Sequence, residues 1–189
     1  MFLLFLTTQN SYAGAFGLTT HGGLYQGKAY YYRSDDEQGF DSQYRPNAGG
    51  GIEFMLGNRK DRLQGILRLQ YSRDWPLEDP AYVEEDGYTY SYPPVSELPP
   101  TDVGKTSIGL QWGILGEPTG AQLIATTSLV SAFWTTNALE YFQVDVGIGG
   151  TYTINDQIQF HTTLNAAPRY RKALTFGYDL NAGVRYLFD

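Results

Sequence analysis

The sequence predicts an all-β chain, an eight-stranded antiparallel up-and-down transmembrane β-barrel. Three observations lead there. Hydropathy alternates with a period of two rather than 3.6 along most of the chain. The clearest alternating segments, at 62–73, 141–152 and 174–188, exceed the five or six residues usual in soluble sheets and match the ~9 to 11 that cross a bilayer at a tilt. Finally, 16 Tyr, 10 Phe and 22 Gly stand beside a slightly negative mean hydropathy. Strands with one greasy and one wet face produce that combination.

The remaining composition narrows the field. A chain of 189 residues is one domain by the length prior. The absence of Cys excludes disulfides, a thiolate nucleophile, Cys-ligated zinc and iron–sulfur clusters. With 13 Lys and Arg against 20 Asp and Glu, the formal net charge of -7 has the wrong sign for a nucleic-acid surface. Two His residues are too few for a His-rich metal centre, and no metal or cofactor is expected. No stretch reaches the ~18 to 20 apolar residues of a membrane helix, so a membrane crossing requires a closed barrel.

Residues 1–15, MFLLFLTTQNSYAGA, place an apolar run from Phe2 to Leu6 before small residues at Ser11, Ala13 and Ala15. They read as the end of a secretory signal peptide cleaved after Ala13 or Ala15, or as an N-terminal extension, although no Lys or Arg precedes the apolar run. Residues 16–189 form the single barrel domain. Its strands are expected at 17–33, 48–57, 62–73, 103–115, 121–134, 140–153, 158–168 and 174–188. In the last, Leu174, Phe176, Tyr178, Leu180, Ala182, Val184, Tyr186 and Phe188 oppose a mostly small or polar face. In the third, Leu63, Leu67, Leu69 and Tyr71 oppose Gln64, Arg68, Gln70 and Ser72, with Ile66 alone on the wrong side. In the sixth, Phe142, Val144, Val146, Ile148 and Tyr152 oppose Gln143, Asp145, Gly147, Gly149 and Thr151. GNRKD (57–61), GEPTG (116–120) and INDQ (154–157) are turn-formers. The other rim carries the links 34–47, 74–102, 135–139 and 169–173. Two of these are long, and such asymmetry suits a barrel with both termini at the short-turn end.

An eight-stranded barrel is just wide enough for side chains to fill. The inward set on this register comprises Glu53, Arg68, Gln70, Lys105, Gln111, Asp145, His161, Asn165, Asp179 and Arg185. Charges taken out of water persist when paired, so Glu53, Arg68, Lys105, Asp145, His161, Asp179 and Arg185 should form an interior salt-bridge network that holds the barrel shut. Glycines 147, 149, 177 and 183 would make room for long Arg and Gln neighbours. Aromatics should ring both rims: Tyr30, Tyr31, Tyr32, Trp134, Tyr141, Phe142 and Tyr170 at the long-loop rim, and Tyr152, Tyr186 and Phe188 at the other.

The final strand reads Asn181-Ala-Gly183-Val-Arg-Tyr186-Leu-Phe188. This resembles the assembly signal by which outer-membrane barrels are recognised by the barrel assembly machinery, with Gly183, Tyr186 and Phe188 as its marks; such barrels usually end on the aromatic, whereas Asp189 follows here. The mature chain resembles the small eight-stranded barrels of the OmpX, OmpA and OmpW kind, without a motif for one of them. The resemblance implies a Gram-negative outer membrane, contact with its lipid and lipopolysaccharide, termini in the periplasm and insertion by the assembly machinery.

Some outer-membrane barrels modify lipid A. The deacylase family uses a His-x-Ser pair with a distant carboxylate; the nearest stretch here, His161-Thr-Thr163, has Thr at the nucleophile position and points inward. The palmitoyltransferase barrels use a His with an Asp-Ser pair; Asp41-Ser42 is such a dipeptide, but His21 is expected low in the barrel. No catalytic residue is therefore assigned. The 74–102 loop carries eight acidic residues, four Tyr and six Pro without Lys or Arg, the make-up of a stiff presented surface. Its candidate binding residues are Trp75, Tyr82, Glu84, Glu85, Asp86, Tyr88, Tyr90 and Tyr92. Glu78, Asp79, Glu84, Glu85 and Asp86 offer hard oxygens for calcium, but in no EF-hand spacing. The expectation is a non-enzymatic barrel that is structural or interacts with an envelope protein through its acidic, Tyr-rich loops. A lipid A-modifying enzyme, and a narrow channel or transporter of small hydrophobes, are the alternatives.

Overall fold

Alternating residues that bury one face and expose the other wind the chain into a closed sheet. The computed structural model describes the backbone at 14–32, 38–58, 60–75, 82–85, 88–91, 101–134, 139–170 and 174–188, and side chains at 14–25, 45–58, 60–75, 102–133, 141–170 and 174–188. The elements are β1 (Gly14–Tyr32), β2 (Gln38–Leu56), β3 (Leu63–Asp74), β4 (Tyr82–Glu85), β5 (Tyr88–Ser91), β6 (Thr101–Gly116), β7 (Ala121–Trp134), β8 (Leu139–Ile154), β9 (Ile158–Ala166), β10 (Arg169–Tyr170), β11 (Leu174–Thr175) and β12 (Gly177–Phe188). The eight long strands pair in chain order, every pairing is antiparallel, and β1 meets β12. The barrel is thus closed and leaves no long edge to template aggregation.

The turn end is set by backbone chemistry. Gly57 (φ 120°) and Gly116 (φ 87°) open their turns in the left-handed region, which glycine enters without steric cost. Asn155 (φ 54°) and Asp156 (φ 56°) close the third, and both are residue types that tolerate positive φ.

The loop end departs from expectation in extent. The β1–β2 ladder continues to Tyr32↔Gln38, so residues 38–47 belong to a strand rather than to a 34–47 loop. Alternation fades there because a ladder that has left the apolar belt has water on both faces and no reason to alternate. Within 74–102, β4 and β5 pair as a small separate hairpin. Arg169↔Gln143 and Tyr170↔Phe142 carry the β8 ladder past Pro168, which shortens the expected 169–173 link. At the other end β1 begins at Gly14, and Ala15 is buried against Met55 and Leu187.

Two surfaces result. Outward positions expose Leu, Ile, Val and aromatic side chains over all eight long strands. Among the described side chains of these strands, the outward-facing charges are Arg73 and Asp102, which pair with each other near the loop end at 2.8 Å. Phe16, Trp112, Tyr152, Phe160, Tyr186 and Phe188 ring the turn end, and Tyr71, Phe142, Tyr170 and Tyr178 lie toward the loop end. From Tyr178 to Tyr186 at ~3.4 Å per residue and the tilt of ~40° usual for such barrels, the belt stands about 20 Å tall. Tyr141 was expected in the loop-end ring but is buried, because its odd position in β8 faces the interior. The side chains of Tyr30, Tyr31, Tyr32 and Trp134 lie outside the described residues.

The interior is packed closely enough to need glycine. A Cβ on Gly177 would meet the Tyr25 ring, 2.8 Å from Cε1 and closer still to Cδ1; on Gly183 it would lie 2.5 Å from His161 Nε2. The glycines therefore admit Tyr25 and His161 rather than the Arg and Gln side chains expected. Replacing Gly177 by Leu should destabilise the folded barrel by about 1–3 kcal/mol through overpacking. Urea titration in lipid vesicles followed by tryptophan fluorescence measures it, and an unchanged midpoint would mean that the Tyr25 contact is not tight.

Candidate functional site

The interior polar column is where this chain concentrates its chemistry. Toward the turn end, β2 supplies Glu53, β3 Arg68 and β12 Arg185, all inward by parity and all buried. Arg68 Nε donates to Glu53 Oε2 at 2.5 Å, and Arg185 Nε donates to Glu53 Oε1. Arg185 Nη1 also donates to Gln111 Oε1 at 3.0 Å and Gln159 Oε1 at 2.9 Å. His161 Nε2 stands 3.5 Å from Glu53 Oε1. One carboxylate thus joins two guanidiniums from different strands, the pairing that makes buried charge tolerable.

Above this hub the lining mixes neutral hydrogen-bonding groups with Lys105, Asp145, Asp179 and Arg169. Gln70 reaches across to Thr19 Oγ1 at 3.1 Å, and Asn165 bonds Thr163 and the Asp179 carbonyl. Tyr25 donates to Asp179 Oδ2 at 2.6 Å, while Gln143 donates to Asp145 Oδ1 at 2.5 Å. Lys105 Nζ lies 3.5 Å from His21 Nε2, so His21 sits at mid-height rather than low in the barrel.

Arg169 crosses the top. Its guanidinium carbon lies 3.2 Å from the Tyr25 ring centroid and 4.1 Å from that of Tyr141, its Nε donates to Gln143 Oε1 at 2.8 Å, and its Nη1 is 3.9 Å from Asp74. Stacking between two aromatic faces favours a cation held away from water.

Of the sequence-expected interior set, Glu53, Arg68 and Arg185 meet in one hub with His161 beside them. Lys105, Asp145 and Asp179 lie apart from it. Arg169, Tyr25, Tyr141 and Gln143 were missed as a constellation. Parity was the available signal for Arg169: counting by twos from inward Asn165 reaches it, but Pro168 reads as a strand end.

Trp75 is partly exposed at the rim, its amide donating to the Pro46 carbonyl at 2.9 Å. Tyr82, Glu84 and Glu85 lie on β4 and Tyr88 and Tyr90 on β5, with Glu85 opposite Tyr88 in the register. Asp86 and Tyr92 lie outside the described residues, as do Glu78 and Asp79. Among the described residues no group of three or more His, Asp or Glu is placed to hold a metal ion. His161 and Thr163 both face inward and are buried, away from any lipid substrate. Gly183, Tyr186 and Phe188 occupy β12, with Gly183 inward and both aromatics outward.

No protein-family model and no curated protein matches the sequence. Among solved structures, Neisserial surface protein A is similar over 92% of this chain and 99% of its own, at 13% identity and a TM-score of 0.48. The de novo designed TMB2.3 is similar over 96% and 99%, at 12% identity and 0.40. The β domain of the Bordetella autotransporter BrkA is similar over 93% and 72%, at 15% identity and 0.39.

Glu53→Gln should destabilise the barrel by about 3–5 kcal/mol, because it leaves two buried guanidiniums without their counter-charge. Adding Arg68→Met and Arg185→Met should restore most of the loss. Equilibrium unfolding in vesicles reads both, and a triple variant no better than Glu53→Gln would show that the pairing is not what the hub contributes.

Proposed function

We propose that this protein is an integral barrel of a Gram-negative outer membrane, without enzymatic activity, which presents its loop-end hairpins to partners outside the cell. One observation carries the reading. The described long strands turn every charge inward except the mutually paired Arg73 and Asp102, leaving a belt that only hydrocarbon suits. A soluble barrel would reverse this, with greasy side chains inside and charges out.

Residues 1–13 act in this reading as the export signal, cleaved after Ala13 because β1 takes up Gly14 and Ala15, and Gly183, Tyr186 and Phe188 address the assembly machinery. Lipid contacts the belt, and lipopolysaccharide surrounds the loop end. The β4–β5 hairpin pairs separately from the barrel sheet and carries Tyr and Glu residues, which supports recognition of a cationic or protein partner of the envelope. Arg169, stacked between Tyr25 and Tyr141 inside the mouth of the barrel, supports a filled interior over a channel. The inward pointing of His161 and Thr163 argues against lipid A deacylation.

Ile148 faces outward midway along the belt. Ile148→Arg should cost about 2–4 kcal/mol of folding stability in vesicles if it meets the bilayer midplane, and close to nothing if that face meets water. Crosslinking in intact outer membranes should capture a protein partner with the full chain and lose it when 76–100 are deleted. Equal capture by both chains would remove the hairpin from the interaction.

A further inference from the structure

The hub toward the turn end carries more positive charge than its partners answer. Arg68 and Arg185 share the single carboxylate of Glu53, each through Nε. Above them Arg45, Lys105 and Arg169 face Asp74, Asp145 and Asp179 within the same lumen, three against three, so the surplus charge belongs to the hub. The hydrogen bonds show the same surplus. Arg185 commits Nε to Glu53 and Nη1 to Gln111, Gln159 and the Met55 sulfur, while its buried Nη2 has no hydrogen-bond partner among the described residues. Arg68 Nη2 is buried and unpartnered in the same way. A guanidinium is a planar fork in which Nη2 shares an edge with Nε, so both unused donors flank Glu53. His161 stands 3.5 Å from the same carboxylate with neither ring nitrogen hydrogen-bonded among the described residues, although one of them must carry a hydrogen. Opposite it in the β8–β9 ladder, the buried hydroxyl of Thr151 is likewise unpartnered.

We infer that the hub binds a single-atom anion of the halide class, held by Arg68 Nη2 and Arg185 Nη2 with His161 and Thr151 as neighbouring N–H and O–H donors. All four groups are able to donate, and none of them is an obligate acceptor. Their unmet need is therefore for an acceptor. A water molecule would take some of these hydrogens but leave the buried charge unanswered, whereas an anion meets both, and burial penalises a charge without its counter-charge heavily. Packing sets the size of the ion. A Cβ on Gly183 would lie 2.5 Å from His161 Nε2, and one on Gly17 would lie 2.9 Å from Arg185 Cγ. The backbone already crowds these side chains, which favours a spherical ion over a tetrahedral oxyanion. The site lies inside the barrel wall and is independent of what the loop end recognises.

The test is equilibrium urea unfolding of the full chain in lipid vesicles at constant ionic strength, with chloride, bromide, phosphate or gluconate as the only anion. The chain refolds in each buffer, so the ion needs no open path into a closed barrel. Relative to gluconate, about 100 mM chloride should raise the folding constant about tenfold, as a Kd of about 10 mM requires, and bromide should act alike. Gln159→Glu sets a fixed carboxylate against Arg185, whose Nη1 already donates to that side chain at 2.9 Å, and should remove most of the chloride response. The triple variant Glu53→Gln, Arg68→Met, Arg185→Met lacks both guanidiniums and should not respond at all. In crystals grown with bromide, anomalous scattering should place the ion beside Arg68 and Arg185. Equal wild-type stability in chloride and gluconate overturns the site, as does a chloride response that persists in the triple variant, or a bromide peak found on the barrel surface alone. A phosphate response as large as that to chloride, and lost in the triple variant, overturns the choice of a single-atom ion.

Discussion

The constraint on which this structure depends is the enclosure of charge. Glu53, Arg68 and Arg185 are drawn from β2, β3 and β12, so their pairing fastens strands from both sides of β1 across the lumen. Each ion alone would carry a desolvation cost of several kcal/mol; Glu53 and Arg68 are opposed on the β2–β3 ladder, and the β1–β12 seam brings Arg185 to the same carboxylate. An open β1–β12 seam would leave two long edges unpaired and Arg185 without its carboxylate. Tyr25, His21 and the glutamines share the lining above the hub with Lys105, Asp145, Asp179 and Arg169.

The exterior follows from the same alternation. Because successive side chains in a strand point to opposite faces, every charge sent inward frees its neighbour to be apolar, and the belt is the complement of the lumen. The departures from uniformity are then informative. Arg73 and Asp102 neutralise each other at the loop end, with Tyr71 donating to the same carboxylate at 2.6 Å.

Much of this was legible in the sequence. The eight strands, the tight turns and the inward positions of Glu53, Arg68, Asp145 and Arg185 follow from period-two patterning, since the belt imposes it on every strand that crosses. Ile66, which broke the pattern, faces inward and is buried, near the turn end where Ala15, Met55, Ile124 and Leu187 make an apolar floor. Patterning was silent where that force stops. Residues 38–47 extend β2 without alternation, and Pro168 hid the continuation that aims Arg169 into the mouth. Which inward groups touch depends on the stagger between strands, a property of closure that no single strand carries. Hence Lys105 and Asp179 were placed on the right face but in a network they do not join directly, whereas the Tyr25–Arg169–Tyr141 stack could not be foreseen from spacing.

The most direct test of charge enclosure within an apolar belt is a nitroxide scan along β8 in reconstituted bilayers, with oxygen and a water-soluble nickel chelate as competing relaxants. The account predicts that labels at positions 142, 144, 146, 148 and 152 relax with oxygen and resist nickel, while labels at 143, 145 and 151 resist both. Nickel access along the even positions, or loss of the two-residue alternation, would contradict it.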